Sequence, residues 1–258
     1  MTGPAGVSAL VLAETVAGGL ALLYLSPLWG EVKRGFFTLT TGILAALAFA
    51  AWGSARAGVV AGDVDGERAV TVALAVAVAT GLATLAYRLR SPAVGRLIGF
   101  ASVALGVVLL AALAATGEAG FVVAALQLAA GAAFLGAVLD GLLLGHWYLT
   151  DRRLTRTPIL RATMTLGVGV VLEAAAIAIG GFGPTSSSQA FNPLLTSAGL
   201  ASWIALGMVG TTGLVAVFVR ATLRGERPSA VQAATGFLYL AVITALTAEF
   251  AAKVRFLP

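Results

Sequence analysis

The sequence predicts an all-α, polytopic membrane protein: a single transmembrane domain over residues 1–258, built as a bundle of about eight helices with both ends outside the cytoplasm. Three observations predict it. Hydrophobic residues make up 59% of the 258 and charged residues 10%, with a mean hydropathy of +0.99. A soluble domain is about a quarter charged and has no core able to hide so much apolar surface. The apolar residues form continuous runs of about 20, the length at which a helix crosses hydrocarbon and satisfies its own backbone. A β-barrel would instead show short alternating segments. Finally, basic residues fall on one set of alternate loops, as the positive-inside rule requires of a membrane protein.

The runs lie at about 7–28, 36–53, 69–87, 97–115, 120–149, 162–183, 193–219 and 229–251. Lys33 is the first basic residue and follows the first run. A cleavable signal peptide has the opposite order, so the first run reads as a retained helix. The loop at about 54–68 is Gly-rich and acidic. Ser91-Pro92, Thr157-Pro158 and Asn192-Pro193 each place a capping side chain before a proline at the first helical position. The fifth run exceeds an upright span, so it tilts or emerges from the lipid. Gly180-Gly181 with Gly183-Pro184 closes the sixth.

Loops after the odd-numbered helices hold Lys33, Arg34, Arg88, Arg90, Arg96, Arg152, Arg153, Arg156, Arg161, Arg220, Arg224 and Arg227; the other side holds Arg56, Arg68, Lys253 and Arg255. That excess places the odd loops in the cytoplasm and the protein in the cell membrane as a multi-pass chain. Asp63, Asp65, Glu67 and Glu118 fall on the outer side.

With no cysteine, the chain has no disulfide, thiolate metal site or iron–sulfur cluster of its own. One histidine leaves no bis-histidine haem, and neither haem nor a metal site is expected. The pI near 10.2 comes from basic residues split among short loops, so nucleic acid is not a partner. No nucleotide-binding loop or nucleophile–base motif is present, and no loop has room for a soluble catalytic domain. An inverted repeat of the transporter type is also missing.

Four acids lie within apolar runs: Glu14, Asp140, Glu173 and Glu249. A charge at mid-bilayer costs at least about 2.5–3.5 kcal/mol, so each is protonated, paired or facing a wet cavity. Two readings stand for each, a structural hydrogen bond between helices or a functional site. The predicted topology puts Glu14 and Glu249 in the outer half, Glu173 near the middle and Asp140 in the inner half. Glu14 and Glu249 line one outward pocket if the first and last helices are neighbours. Gly18 and Gly19, one turn beyond Glu14, leave room for a neighbouring helix or a flat ligand head. Gly136, Asp140 and Gly141 form a small-residue surface for close helix approach. His146, in Gly145-His146-Trp147-Tyr148, is either part of an interfacial belt or a proton donor or acceptor, including one toward a quinone carbonyl. Trp29 and Trp52 read as belt residues, and Ser186-Ser187-Ser188 as plain connection.

Two segments carry a resemblance. Glu14 to Leu23, in which Val16-Ala17-Gly18-Gly19 follows a polar residue in the outer half of the first helix, resembles the first helix of the DMSO reductase membrane anchor subunit. Ala248-Glu249-Phe250-Ala251-Ala252-Lys253 resembles the Gly-Glu-Phe-x-x-Arg segment that ends the last helix of that family, with Ala for Gly and Lys for Arg. The middle of the chain has no counterpart. The resemblance implies eight helices with both ends outside, and a membrane anchor for catalytic and iron–sulfur subunits at the outer face. It further implies that quinol is oxidised near that face, that electrons pass to the partner's clusters, and that the anchor carries no metal. Glu14 would then sit near the quinol, and Glu249 with Lys253 would form a structural ion pair. The residues themselves leave two other functions open, a proton-coupled transporter or permease using Glu173, and a non-catalytic assembly or sensory subunit.

Overall fold

A computed structural model of the chain describes residues 1–26, 28, 31–117, 120–151, 153–182, 199–225, 229–254 and 256. Trp29, Glu118, Arg152, Gly183-Pro184, the triple serine, the Asn192-Pro193 start, Arg227 and Arg255 lie outside the described residues. Among those described are eight helices long and apolar enough to cross a membrane: α1 (Gly3–Leu25), α2 (Arg34–Gly58), α3 (Val64–Arg88), α4 (Pro92–Ala114), α5 (Phe121–Thr150), α6 (Thr157–Gly180), α7 (Leu200–Leu223) and α8 (Ala230–Lys253). The protein is an all-helical, multi-pass membrane protein. Its outward faces fit that solvent, because Leu97, Val122 and Val171 are 72%, 69% and 67% exposed, as side chains facing hydrocarbon are. Eight spans return the chain to the side it started from. That side is called terminal below, and the side carrying Lys33, Arg88, Arg156 and Arg220 basic.

Local signals set the helix ends. Pro92 opens α4 behind Ser91, yet Ser91 makes no side-chain cap. Thr157 lies inside α6, with Arg156 preceding it. Proline fixes the first helical φ and removes one orphan donor, so neither start depends on a capping hydroxyl. The expected loop at 54–68 is shorter than the sequence predicts. Asp63 caps α3 by accepting from the Gly66 N–H at 2.9 Å, which draws Asp65 and Glu67 into the first turn, where the helix dipole favours acids. α5 has 30 residues and is about 45 Å long, well beyond the hydrocarbon thickness.

Packing divides the bundle into two rings of four. Helices α1 to α4 pack in order and close with α1 on α4, and α5 to α8 do the same, closing with α5 on α8. The rings meet mainly through α1 on α5, with α8 also touching α1 and α4 touching α5. The architecture therefore repeats although the sequence shows no repeat. α1 is the most enclosed helix, with 78% of its apolar window buried, followed by α5 at 56%, against 33–39% for the other six.

Glycine permits the α1–α5 junction. A Cβ on Gly18 would stand 1.7 Å from the Ala132 carbonyl oxygen, and one on Gly136 2.3 Å from the Gly18 carbonyl carbon. The two backbones touch at this point, the contact that small residues allow between membrane helices.

Candidate functional site

The junction brings together side chains from three helices. Glu14 (α1) points onto Gly131 of α5, where a Cβ would lie 2.5 Å from its Oε1, so this glycine makes the space for the carboxylate. Lys253, the last residue of α8, reaches the same point. Its Nζ is 2.8 Å from Glu14 Oε1 and 3.1 Å from Glu249 Oε2. Glu249 and Lys253 are four residues apart on α8 and share a face. Glu173 of α6 lies within electrostatic reach of both Glu249 and Lys253. All four are buried in the bundle, with Glu14 and Glu249 at 0%, Glu173 at 1% and Lys253 at 2% exposure.

Lys253 corrects the sequence-based count of outer-loop charges. It belongs to a helix and turns inward, because two carboxylates four residues and one helix away reward burial of its ammonium. The C-terminal end of α8 adds a favourable dipole. The i, i+4 spacing to Glu249 was the readable signal for this placement. Helices α1 and α8 do meet, and Glu14 and Glu249 share a lysine at their contact.

The cluster is unbalanced. Three carboxylates face one ammonium, and buried charge left unpaired is strongly disfavoured. Two bound protons make the group neutral. A cavity of about 80 Å³ lies beside it at the terminal end of the bundle, lined by Gln127, Glu173, Gly180, Ser202, Lys253 and Phe256. It has room for a few waters, and Glu173 Oε2 has no hydrogen-bond partner among the described residues. The arrangement can bind protons, share them among carboxylates and exchange them with one side of the membrane.

Other candidates lie elsewhere. Gly18 is filled by α5, and a Cβ on Gly19 would meet the Leu44 side chain at 2.7 Å, so neither glycine leaves space for a ligand ring. The room that these glycines make is taken by helix packing. His146 is exposed at the basic end of α5, with Nδ1 3.4 Å from the Tyr239 hydroxyl. Fifteen residues separate it from Gly131, about 22 Å along the helix, so His146 and Glu14 do not form one site. Asp140 faces a different pocket on the basic side.

No family model matches this chain. Neither a curated protein nor a solved structure matches it.

Proposed function

We propose that the chain is the quinol-interacting membrane subunit of a respiratory oxidoreductase in the cell membrane, with both termini outside the cytoplasm. The observation that carries the reading is the buried cluster of Glu14, Glu173, Glu249 and Lys253 beside a cavity at the terminal end of the bundle. Quinol oxidation releases two protons and two electrons. Two protons are also what the cluster needs to become neutral. In this reading the protons of the quinol hydroxyls enter by Glu173, the cluster carboxylate that lines the cavity, each displacing a proton already shared among Glu14, Glu173 and Glu249, and the cavity waters carry the displaced protons to the terminal side. The electrons pass to iron–sulfur clusters of partner subunits docked on that side. The cavity admits water and no aromatic ring, so the quinol head sits at its mouth, away from Gly18 and Gly19. The likeness of Glu14–Leu23 and Ala248–Lys253 to the DMSO reductase anchor supports the same assignment, as does the excess of basic residues on the opposite side.

The deciding variant is Glu14→Gln in the assembled complex. Glutamine keeps size and hydrogen bonding and cannot take a proton. Quinol-linked turnover and proton release on the terminal side should fall together while assembly is retained. Full quinol activity in an assembled Glu14→Gln protein removes Glu14 as acceptor. Reporters fused at residue 60 and at the C-terminus should report outside, and one at residue 154 inside.

One observation favours a second reading, a proton-coupled transporter: a second buried acid, Asp140, faces a pocket on the basic side. Exchange of the Glu173 proton with both sides of the membrane would select that reading.

A further inference from the structure

Asp140 is 8% exposed, and neither of its carboxylate oxygens has a hydrogen-bond partner among the described residues. It lines a pocket of about 50 Å³ with Ser26, Ala137, Arg161, Ala162 and Thr165. The Ser26 hydroxyl and Glu31 Oε2 are likewise without hydrogen-bond partners. The pocket sits where α1 ends and α6 begins, so it belongs to the basic side. An ion pair guards it, with Arg161 Nη1 2.5 Å from Glu31 Oε1.

The charged groups on the elements near this end of α5 are committed elsewhere. Arg161 from α6 pairs with Glu31 from the α1–α2 connection. Lys33, just before α2, pairs with Asp151 at 2.8 Å, and Arg96 of α4 acts on Tyr87. From α8, Leu238 and Thr235 pack on Gly141 and Gly145, and Tyr239 meets His146. No cation neutralises Asp140 among the described residues, and a lone buried carboxylate in this setting is strongly disfavoured. A calcium or magnesium ion would need about six oxygens around it, whereas Asp140 is the one carboxylate in the pocket wall among the described residues. A proton needs a single oxygen and a water to deliver it.

We propose that Asp140 is a second proton-binding site, loaded from the basic side and insulated from the Glu14 cluster. The insulation follows from the junction. Asp140 is nine residues from Gly131, about 13 Å along α5, and the stretch between is Ala132 to Leu139, all apolar or glycine. The facing part of α1 closes on it at Gly18–Gly136, where the two backbones are in contact. Two proton sites thus open to opposite sides with a glycine seam between them. The Asp140 site does not depend on quinol being the partner of the other.

The test is infrared difference spectroscopy of the full chain in uniformly oriented proteoliposomes. A carboxylic-acid carbonyl band should respond to a pH step on the basic side. It should be lost in Asp140→Asn and persist in Glu173→Gln. Ala162→Leu fills the pocket and leaves Asp140 in place, so it should keep the band and slow its response; this variant serves if Asp140→Asn fails to fold. Identical carboxylic-acid spectra for wild type and Asp140→Asn overturn the proposal. So does a response of the Asp140 band to a step on the terminal side. Loss of the band on adding sodium at constant pH also overturns it, in favour of a metal cation.

Discussion

Lys253→Met is the perturbation that the structure constrains best. The ammonium holds Glu14 at 2.8 Å and Glu249 at 3.1 Å, with all three side chains 0–2% exposed. With two protons bound, the cluster carries one negative charge, and at an effective dielectric of about 20 a unit charge at the nearer contact attracts the ammonium by about 6 kcal/mol. Desolvation of the two charges offsets much of that gain, and breaking a buried pair by removing one partner typically costs about 3–5 kcal/mol net. Methionine matches the stem of lysine and leaves the carboxylates without a counter-ion. Lys253→Met should therefore lower stability by about 3–5 kcal/mol. The triple change Glu14→Gln, Glu249→Gln, Lys253→Met leaves no orphan charge and should recover most of the loss, ending within about 1–2 kcal/mol of wild type. Chemical unfolding in mixed micelles, arranged as a mutant cycle, reads both numbers. A Lys253→Met protein as stable as wild type, or a triple variant no better than the single one, would refute the ion-pair argument.

Four further outcomes follow from single features. Gly18→Leu or Gly136→Leu drives a side chain into backbone and should cost at least about 3 kcal/mol, the upper end of overpacking, seen as loss of the monodisperse peak in gel filtration. Gly167→Ala, where a Cβ meets nothing within 4 Å, should stay within about 1 kcal/mol of wild type. The Gly66 N–H bond and the terminal amine hold the Asp63 carboxyl below its usual range, so Asp63 contributes stability above the unfolded value near pH ~4 and loses it as pH falls through the lower folded value. Asp63→Asn should thus be less stable by up to about 1 kcal/mol at neutral pH, with the deficit closing in acid during thermal unfolding. His146→Ala removes one exposed contact and should shift stability by less than about 0.5 kcal/mol, while the purified chain shows no haem Soret band.

By itself the sequence determined the solvent and the secondary structure. Apolar runs of span length admit one backbone solution in hydrocarbon, and loop charges mark alternate sides, so the eight helices of residues 3–253 could be read from composition and spacing alone. Glu14, Glu173, Glu249 and Asp140 were likewise visible, because an acid in an apolar run is conspicuous. What they do to one another was not. By loop count Lys253 reads as an outer charge and by resemblance as the partner of Glu249; only the tertiary structure turns it also onto Glu14, a residue 239 positions earlier in the chain. Gly18 reads equally as a ligand cradle or a helix contact, and only the approach of Ala132 and Gly136 decides for the contact. The doubling of a four-helix ring leaves no mark in the residues, since lipid-facing positions accept any apolar side chain and so keep no pattern. Helix formation in a membrane is local, whereas which helices meet depends on van der Waals fit and buried charge between distant segments. The sequence therefore determined that acids would be buried, and the tertiary structure decided that two of them share one lysine with Glu173 close by, while Asp140 stands alone on the other side of a glycine seam.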